Sequence, residues 1–313
     1  MNIGLDMMGG DFAPLEAVKG LRLYLSDHSA PANLFLFGDE QVLKPLLKEQ
    51  GIPENHITIV HASQVIGMHE HPTKALKDKP GSSISLGFKA LATGVIDAFI
   101  SAGNTGAMMI GALYSIKAME GVLRPTISTI IPKENGHAGL LLDVGLNADC
   151  KPENLSQFAV LGSLYAKHIL DIENPRVGLL NLGEEEGKGN ILAQATYPLL
   201  RDNSAINFIG NIEGRDILVD KADVMVCEGF TGNVVLKMAE SMYEITHRKN
   251  IRHEYLDRFN FENYGGTPVL GVAKPVIIGH GISQETAFKN MVVLAAKIIQ
   301  TDLMEKMKKS FMI

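Results

Sequence analysis

Alternation is the feature that most narrows the folds open to this chain: short apolar runs ending in Gly, Asn or Asp are separated by longer stretches of helical periodicity. The strand signal is carried by "NIGLDM", "NLFLFGD", "ITIVHA", "VIDAFISAG", "TISTIIP", "AGLLLDVG", "RVGLLNLG", "INFIGNI", "ADVMVCEG" and "PVIIGHG". Several are apolar throughout, as strands covered on both faces must be. This order predicts an α/β fold, a parallel sheet with crossover helices. Pro14 is expected as the first helical residue before "LEAVKGLRLYL", and Pro152 opens "KPENLSQFAVLGSLYAKHIL" with an acid in the first turn. Gly51 and Gly94 read as helix C-terminal glycines. No repeat, low-complexity tract or long linker interrupts the pattern, so 1–313 is read as a single two-lobed α/β body.

With 313 residues, 46% hydrophobic and 20% charged, the chain can bury a large core and lies far from the disordered regime. A net charge of −6 gives no global reason to expect nucleic acid. Two cysteines, Cys150 and Cys227, make no disulfide framework and suit a reducing compartment. The first residues lack the basic and apolar regions of a signal peptide, and no apolar run approaches the roughly 18 residues that span a bilayer. A cytoplasmic protein, or a peripherally attached one, is expected. His69 and His71 of "HEH" are followed by Pro72 and have no Cys/His partner spaced to complete a zinc set, so no metal is expected there.

In open α/β sheets ligands gather beyond the carboxyl ends of strands, and these loops are rich in small and polar residues. In "DMMGGD", Gly9 and Gly10 allow a turn with positive φ between Asp6 and Asp11, although Asp11 reads equally as an N-cap before Pro14. In "SAGNTGA", the small residues Ser101, Gly103 and Gly106 let a ligand approach a helix N-terminus, and Asn104 and Thr105 add donors. A capped helix after a tight turn is the alternative. Asp143 and Asn147 either position donors or tie down their own loop, with structural support favoured for Asp143. Asn233 stands where a carboxamide could reach a reacting carbonyl or its oxyanion. Cys227 is open between a thiol nucleophile and an inert buried cysteine. His280 is open between an acid/base, a phosphate donor and a strand-end histidine bonded to backbone.

The loop "GEEEGKGN" places Lys188 behind three glutamates and between glycines. A nucleotide P-loop needs a longer glycine-bounded loop and a Ser or Thr after its lysine, and Gly189 stands there instead. Lys188 is therefore not read as an ATP ligand.

Together "LDMMGGD", "SAGNTGA", "LLDVGLNADCKPENLSQFA", "NPRVGLLNLGEEEGKGN", "NFIGNIEGRDI", "DVMVCEGFTGNVVLK" and "YGGTPVLGV" span nearly the whole chain. In this order the set resembles the bacterial acyl-acyl-carrier-protein:phosphate acyltransferases of phospholipid synthesis. The resemblance implies a Rossmann-like parallel-sheet sandwich similar to isocitrate and isopropylmalate dehydrogenases and to phosphotransacetylases. It implies transfer of a long-chain acyl group from acyl carrier protein to inorganic phosphate, without a cofactor. The acyl phosphate would then supply a membrane glycerol-3-phosphate acyltransferase. A homodimer attached peripherally to the inner face of the membrane is expected. Lys188 and Asn233 align with the family's catalytic lysine and asparagine; the strand-end residues above, with His280, become candidate phosphate or substrate contacts.

Phosphate is then itself the nucleophile, and the protein has only to align it with a thioester and stabilise developing charge. Lys188 would supply a point charge and Asn233 its amide NH₂. The glutamates read as favouring the dipole of the helix through "ILAQATYPLL", or as one of them holding Lys188. The chain departs from the pattern before "GSSI", where "HEHPTKALKDKP" replaces a more continuous basic run, and between Lys237 and Tyr264, which is shorter than in many members. His247, Arg248, Lys249, Arg252 and His253 form a basic patch suited to an acidic carrier protein or anionic head groups. Two other readings stay open: a phosphotransacetylase acting on short acyl-coenzyme A, and a non-catalytic scaffold using this patch and the Met-rich run "LMEKMKKSFMI".

Overall fold

The computed structural model describes residues 1–27 and 31–312. Its strands are β1 (Asn2–Asp6), β2 (Asn33–Gly38), β3 (Ile57–His61), β4 (Ala98–Ser101), β5 (Thr126–Pro132), β6 (Ala138–Leu142), β7 (Arg176–Leu180), β8 (Asn207–Ile212), β9 (Val224–Val226), β10 (Thr267–Leu270) and β11 (Val276–Ile278). The helices are α1 (Leu15–Asp27), α2 (Glu40–Glu49), α3 (Pro72–Asp78), α4 (Ser83–Thr93), α5 (Thr105–Gly111), α6 (Pro152–Ile169), α7 (Ile191–Arg201), α8 (Gly229–Arg248), α9 (Glu254–Asp257), α10 (Glu285–Gln300) and α11 (Leu303–Phe311). Every apolar run named above becomes a strand. β10 is the addition, and its four residues, one a proline, are too short to show a period.

Chain contacts divide the molecule into two compact units. The first holds residues 1–118 and 261–304. Its strands run in the order β3-β2-β1-β4-β11-β10, parallel except for the antiparallel pair β10–β11. The chain steps outward from β1 to β2 and β3, then returns to lay β4 on the other side of β1, so a topological switch point falls between β1 and β4. Beneath it Phe99 is packed edge-on against Phe37 and Phe88, with ring centroids 5.8 and 5.2 Å apart, and all three rings are buried. Fully burying one such side chain stabilises by about 1.5–3 kcal/mol.

The second unit holds residues 119–260 and the chain from Glu305. Its order is β5-β6-β9-β7-β8, with β5–β6 an antiparallel hairpin and the other pairs parallel. Here β9, last in sequence, inserts between β6 and β7, so the loops after β6, β9 and β7 leave neighbouring strands. α6 begins at Pro152 as expected, carries Glu153 in its first turn and Lys167 and His168 in its last, matching the helix dipole at both ends. It buries Leu155, Phe158, Leu161, Tyr165 and Ile169, spaced three or four apart along one face.

Local signals held in part. Gly94 caps α4 in the left-handed conformation (φ 79°), and Gly51 (φ 67°) follows α2. α1 starts at Leu15, one residue after Pro14, whose carbonyl accepts the Val18 N–H at 3.0 Å. Asp11 is therefore no N-cap; it lies exposed in the turn ahead of the helix. The glutamate expectation fails more fully. α7 begins at Ile191, capped by Asn190 Oδ1 from Ala193 N at 2.8 Å, and has no acid in its first turn. The Met-rich C-terminal run forms α11 as far as Phe311; Met312 lies beyond the helix, and Ile313 lies outside the described residues. Among the described residues no helix is long and apolar enough to cross a membrane.

Candidate functional site

The candidates fall into two loop clusters, one in each unit. At the switch point of the first unit, Asp6 ends β1 and is buried. Its carboxylate accepts the Ser101 hydroxyl at 2.6 Å and the Met8 N–H at 3.0 Å. Burial pushes this carboxyl above its ordinary value, and donors from Ser101, Ser83, Met8 and Gly9 pull against that rise. The Ser101 hydroxyl oxygen in turn accepts Gly103 N–H at 2.9 Å, and Gly9 lies directly against Gly103 and the Asp6 carboxylate. Asp6 and Ser101 thus lace the two strand-end loops together. Gly10 turns at φ 104°, and Asp11 N–H donates to Gly281 O at 2.8 Å, tying this loop to the one after β11.

Asn104 is also committed inside the protein. Its Oδ1 caps α5 by accepting Ala107 N–H at 3.0 Å, and its Nδ2 donates to the carbonyls of Gly67, Met68 and Glu70 at 3.0–3.2 Å. Gly106 packs against Pro72, which opens α3. Thr105 is exposed, and His280 is half-exposed, stacked on Phe261 with ring centroids 5.0 Å apart. The groups of this cluster open to solvent are therefore Asp11, Thr105 and His280.

In the second unit Asp143, just past β6, is buried and receives four hydrogen bonds: Gly145 N–H and Leu146 N–H on Oδ1, both at 2.8 Å, and Asn147 N–H and Nδ2 on Oδ2 at 2.9 and 2.6 Å. It ties down its own loop, the favoured reading of the sequence. Burial still raises this carboxyl above its ordinary value despite those donors. Asn147 also donates to Pro125 O at 2.8 Å, and its carbonyl accepts Gly229 N–H at 2.7 Å, which pins the start of α8 to this loop. A Cβ on Gly232 would overlap Asp143 O, so only glycine allows the first turn of α8 to seat this closely.

That turn carries Asn233, exposed, with Nδ2 donating to Val144 O at 3.2 Å. An amide NH₂ has two N–H bonds, so one is left for a ligand. Glu228 caps the helix, accepting Thr231 N–H at 2.8 Å and the Thr231 hydroxyl. Cys227 is buried behind it, its thiol 3.6 Å from Asp143 O and pushed well up by burial and by the carboxylates of Glu228 and Asp143. A thiol held protonated is a poor nucleophile, which decides for the inert reading. Cys150 is pushed up to about 12, first by burial.

The Lys188 loop follows β7. Two of the three glutamates ahead of the lysine serve other cations: Glu184 pairs with Lys221, and Glu186 with Arg201 at 2.7 Å. Glu185 offers its carbonyl to Asn211 Nδ2 at 2.9 Å. Lys188 is exposed, and among the described residues its ammonium has no ion-pair or hydrogen-bond partner. What holds it is backbone: Asn181 Nδ2 donates to Lys188 O at 3.1 Å while Asn181 Oδ1 accepts Leu182 N–H at 2.8 Å. Gly189 follows at φ 98°, against the Asn181 carboxamide. Asn181, Asn190, Asn211 and Glu228 escaped the sequence reading; only Asn190, directly before an apolar helical run, carried a legible cap signal.

His69 and His71 are exposed in the loop before α3, and among the described residues no group of three or more His, Cys, Asp or Glu is placed to hold a metal. Of the basic patch, Arg252 contacts His247 Nδ1 at 2.9 Å and Asp257 at 3.7 Å, and His253 accepts Tyr255 N–H at 3.2 Å. Arg248 and Lys249 lie exposed at the end of α8.

Residues 1–255 match the model of a family described as "Fatty acid synthesis protein". Two similar relatives carry the name phosphate acyltransferase: one from Dictyoglomus turgidum, 41% identical over 98% of this chain and 96% of its own, and one from Aquifex aeolicus, 42% identical over the same shares. Among solved structures, a phosphotransacetylase from Streptococcus pyogenes superposes with a TM-score of 0.67 at 18% identity, covering 96% of this chain and 94% of that one. A branched-chain phosphotransacylase from Enterococcus faecalis gives 0.61 at 16% identity, covering 96% and 100%. These two likenesses establish the fold.

Proposed function

Because the chain belongs to the phosphate acyltransferase family and moves an acyl group to phosphate for phospholipid synthesis, we propose that its donor is a long-chain acyl-acyl carrier protein and that Lys188 and Asn233 carry the chemistry. A phosphate oxygen attacks the thioester carbonyl carbon. The C–S bond then breaks, leaving acyl phosphate and the carrier-protein thiolate. The thiolate is a good leaving group, so the step makes no strong demand for a general acid.

The observation that carries the reading is the state of Lys188. Two of its three neighbouring glutamates, Glu184 and Glu186, are engaged with Lys221 and Arg201, and among the described residues the Lys188 ammonium stands exposed and unpaired. Such a point charge suits phosphate or a tetrahedral oxyanion. Asn233 leaves from the neighbouring strand with one N–H uncommitted. Asp143 and Asn147 act by positioning that turn. In the first unit Asp6, Gly9, Gly10, Ser101, Gly103, Asn104 and Gly106 shape the switch-point loops, and Asp11, Thr105 and His280 are the groups assigned to substrate contact.

α8 supports the partner assignments. Of its 20 residues only Gly229 and Gly232 are buried, and Phe230, Val234, Met238, Met242 and Ile245 lie exposed at intervals of three or four residues. An apolar stripe of this kind suits a second copy of the chain, hence a homodimer. The basic end of α8, with Arg248 and Lys249, suits the acidic carrier protein, and the same charges suit transient contact with an anionic membrane surface. The acyl phosphate passes to a membrane glycerol-3-phosphate acyltransferase.

The decisive assay is phosphate-dependent release of free thiol from palmitoyl-acyl carrier protein, beside acetyl-coenzyme A, for wild type and Lys188→Ala. Release only with phosphate and the long acyl donor, reduced about 10²–10³-fold in the variant, is expected. Preference for acetyl-coenzyme A would make the protein a phosphotransacetylase, and no phosphate dependence with either donor would remove the reading.

A further inference from the structure

The second unit contains a cavity of about 300 Å³ whose walls include Leu155, Leu179, Leu180, Leu182, Leu192 and Ala193. Its remaining lining comes from Asn181 and Asn190, which bound the Lys188 loop on either side, and from Cys227, Glu228 and Thr231 at the start of α8, two residues short of Asn233. The cavity therefore adjoins both elements assigned to the chemistry.

The wall polar groups decide what it can hold. Asn181 is bonded to Lys188 O and Leu182 N–H, Glu228 to Thr231 N–H and to the Thr231 hydroxyl, and the Cys227 thiol to Asp143 O. Asn190 uses its Oδ1 on Ala193 N–H and keeps its NH₂ for a ligand. A space whose polar lining is satisfied except for the Asn190 NH₂ at one side, and whose other surface is mostly leucine, offers little to water or to a polar ligand away from that side, and favours hydrocarbon. Beside it Leu182 and Ile191 are 71% and 88% exposed, so the apolar surface continues outward from the wall.

We propose that this cavity is the acyl-chain subsite, receiving the methylenes next to the thioester carbonyl while Asn190 NH₂ stands at its polar side. The assignment rests on the acyl-transfer reading above. At about 300 Å³ the space lies at the lower end for ligand sites. It takes the first part of a long chain, and the rest lies along Leu182 and Ile191.

The test is a chain-length series, kcat/KM for acetyl, hexanoyl, decanoyl and palmitoyl thioesters of acyl carrier protein and of coenzyme A. In the wild type, kcat/KM should rise about fourfold per methylene until the cavity is full, the factor corresponding to about 0.8 kcal/mol per buried CH₂. Filling the space with Ala193→Leu should lower the decanoyl-to-acetyl ratio at least tenfold. Because Ala193 is buried and its variant could fail to fold, the half-exposed Leu192→Trp is made in parallel, with thermal melting of both. Displacement of a fluorescent fatty acid by decanoate, weakened in both variants, gives a readout independent of turnover. Folded variants with an unchanged chain-length ratio and unchanged fatty-acid binding would overturn the assignment while leaving acyl transfer intact. If the wild type transfers no acyl group from any donor, the failure belongs to the functional reading.

Discussion

At the scale of single residues, the chemistry is assigned to side chains the protein leaves uncommitted, and their placement to side chains it commits fully. Lys188 and Asn181 form such a pair: one ammonium is unpaired among the described residues, and one carboxamide is consumed in fixing the backbone beneath it. Asn181→Ala should lower kcat about 10–100-fold with little change in melting temperature, since a misplacement near 1 Å can cost about 10²-fold. Asn181→Asp, which keeps the acceptor for Leu182 N–H but loses the donor to Lys188 O, should fall with it, whereas a merely structural role would let Asp rescue the loss. Cys227 gives a second residue-level prediction. Its thiol is buried and pushed up, so iodoacetamide near neutral pH should leave turnover unchanged; inactivation that tracks labelling of Cys227 would revive covalent catalysis.

At the scale of elements, two proposed functions fall on the one helix α8. Its first turn is pressed against the Asp143 loop, where Gly232 leaves no room for a Cβ. Gly232→Ala should destabilise by about 1–3 kcal/mol or more, measurable in urea, and should depress kcat further than the lost stability explains because Asn233 rides on the displaced turn. The outward face carries the apolar stripe through Val234 and Met238, 54% and 63% exposed. If it meets a second copy, Val234→Asp with Met238→Asp should convert a dimer to a monomer in sedimentation; an unchanged sedimentation coefficient would move the interface elsewhere.

At the scale of the whole molecule, one buried lysine ties stability to pH. Lys133 is 2% exposed, its ammonium donating to Ile217 O at 2.6 Å, and burial lowers its pKa from 10.5 to about 8 against the carboxylate of Asp223. Below about pH 8 both folded and unfolded chains hold the proton, and the folded chain carries the full cost of a buried charge. Between about 8 and 10.5 only the unfolded chain still holds it, so this group's contribution to stability rises with pH, then levels off. The gain is on the order of a few kcal/mol. Urea unfolding of wild type and Lys133→Met at pH 7 and pH 10 should show the wild type gaining on the variant; parallel pH dependence would refute the linkage.

The alternation of apolar runs with helical periods was enough to establish an α/β fold, because strand and helix periods are local properties of the chain. The set of glycine-rich loops was enough for the family, and the strand-end position of Asp143 was enough for its role in tying down its own loop. Two things lay beyond the sequence. Which glutamate meets which cation depends on side chains far along the chain, Lys221 and Arg201, so the dipole reading of "EEE" failed although each residue was read correctly. Likewise the insertion of β9 between β6 and β7 places the Lys188 and Asn233 loops on neighbouring strands and assembles the leucine cavity between them. Strand order is a long-range outcome of packing, and no local pattern in either loop encodes it.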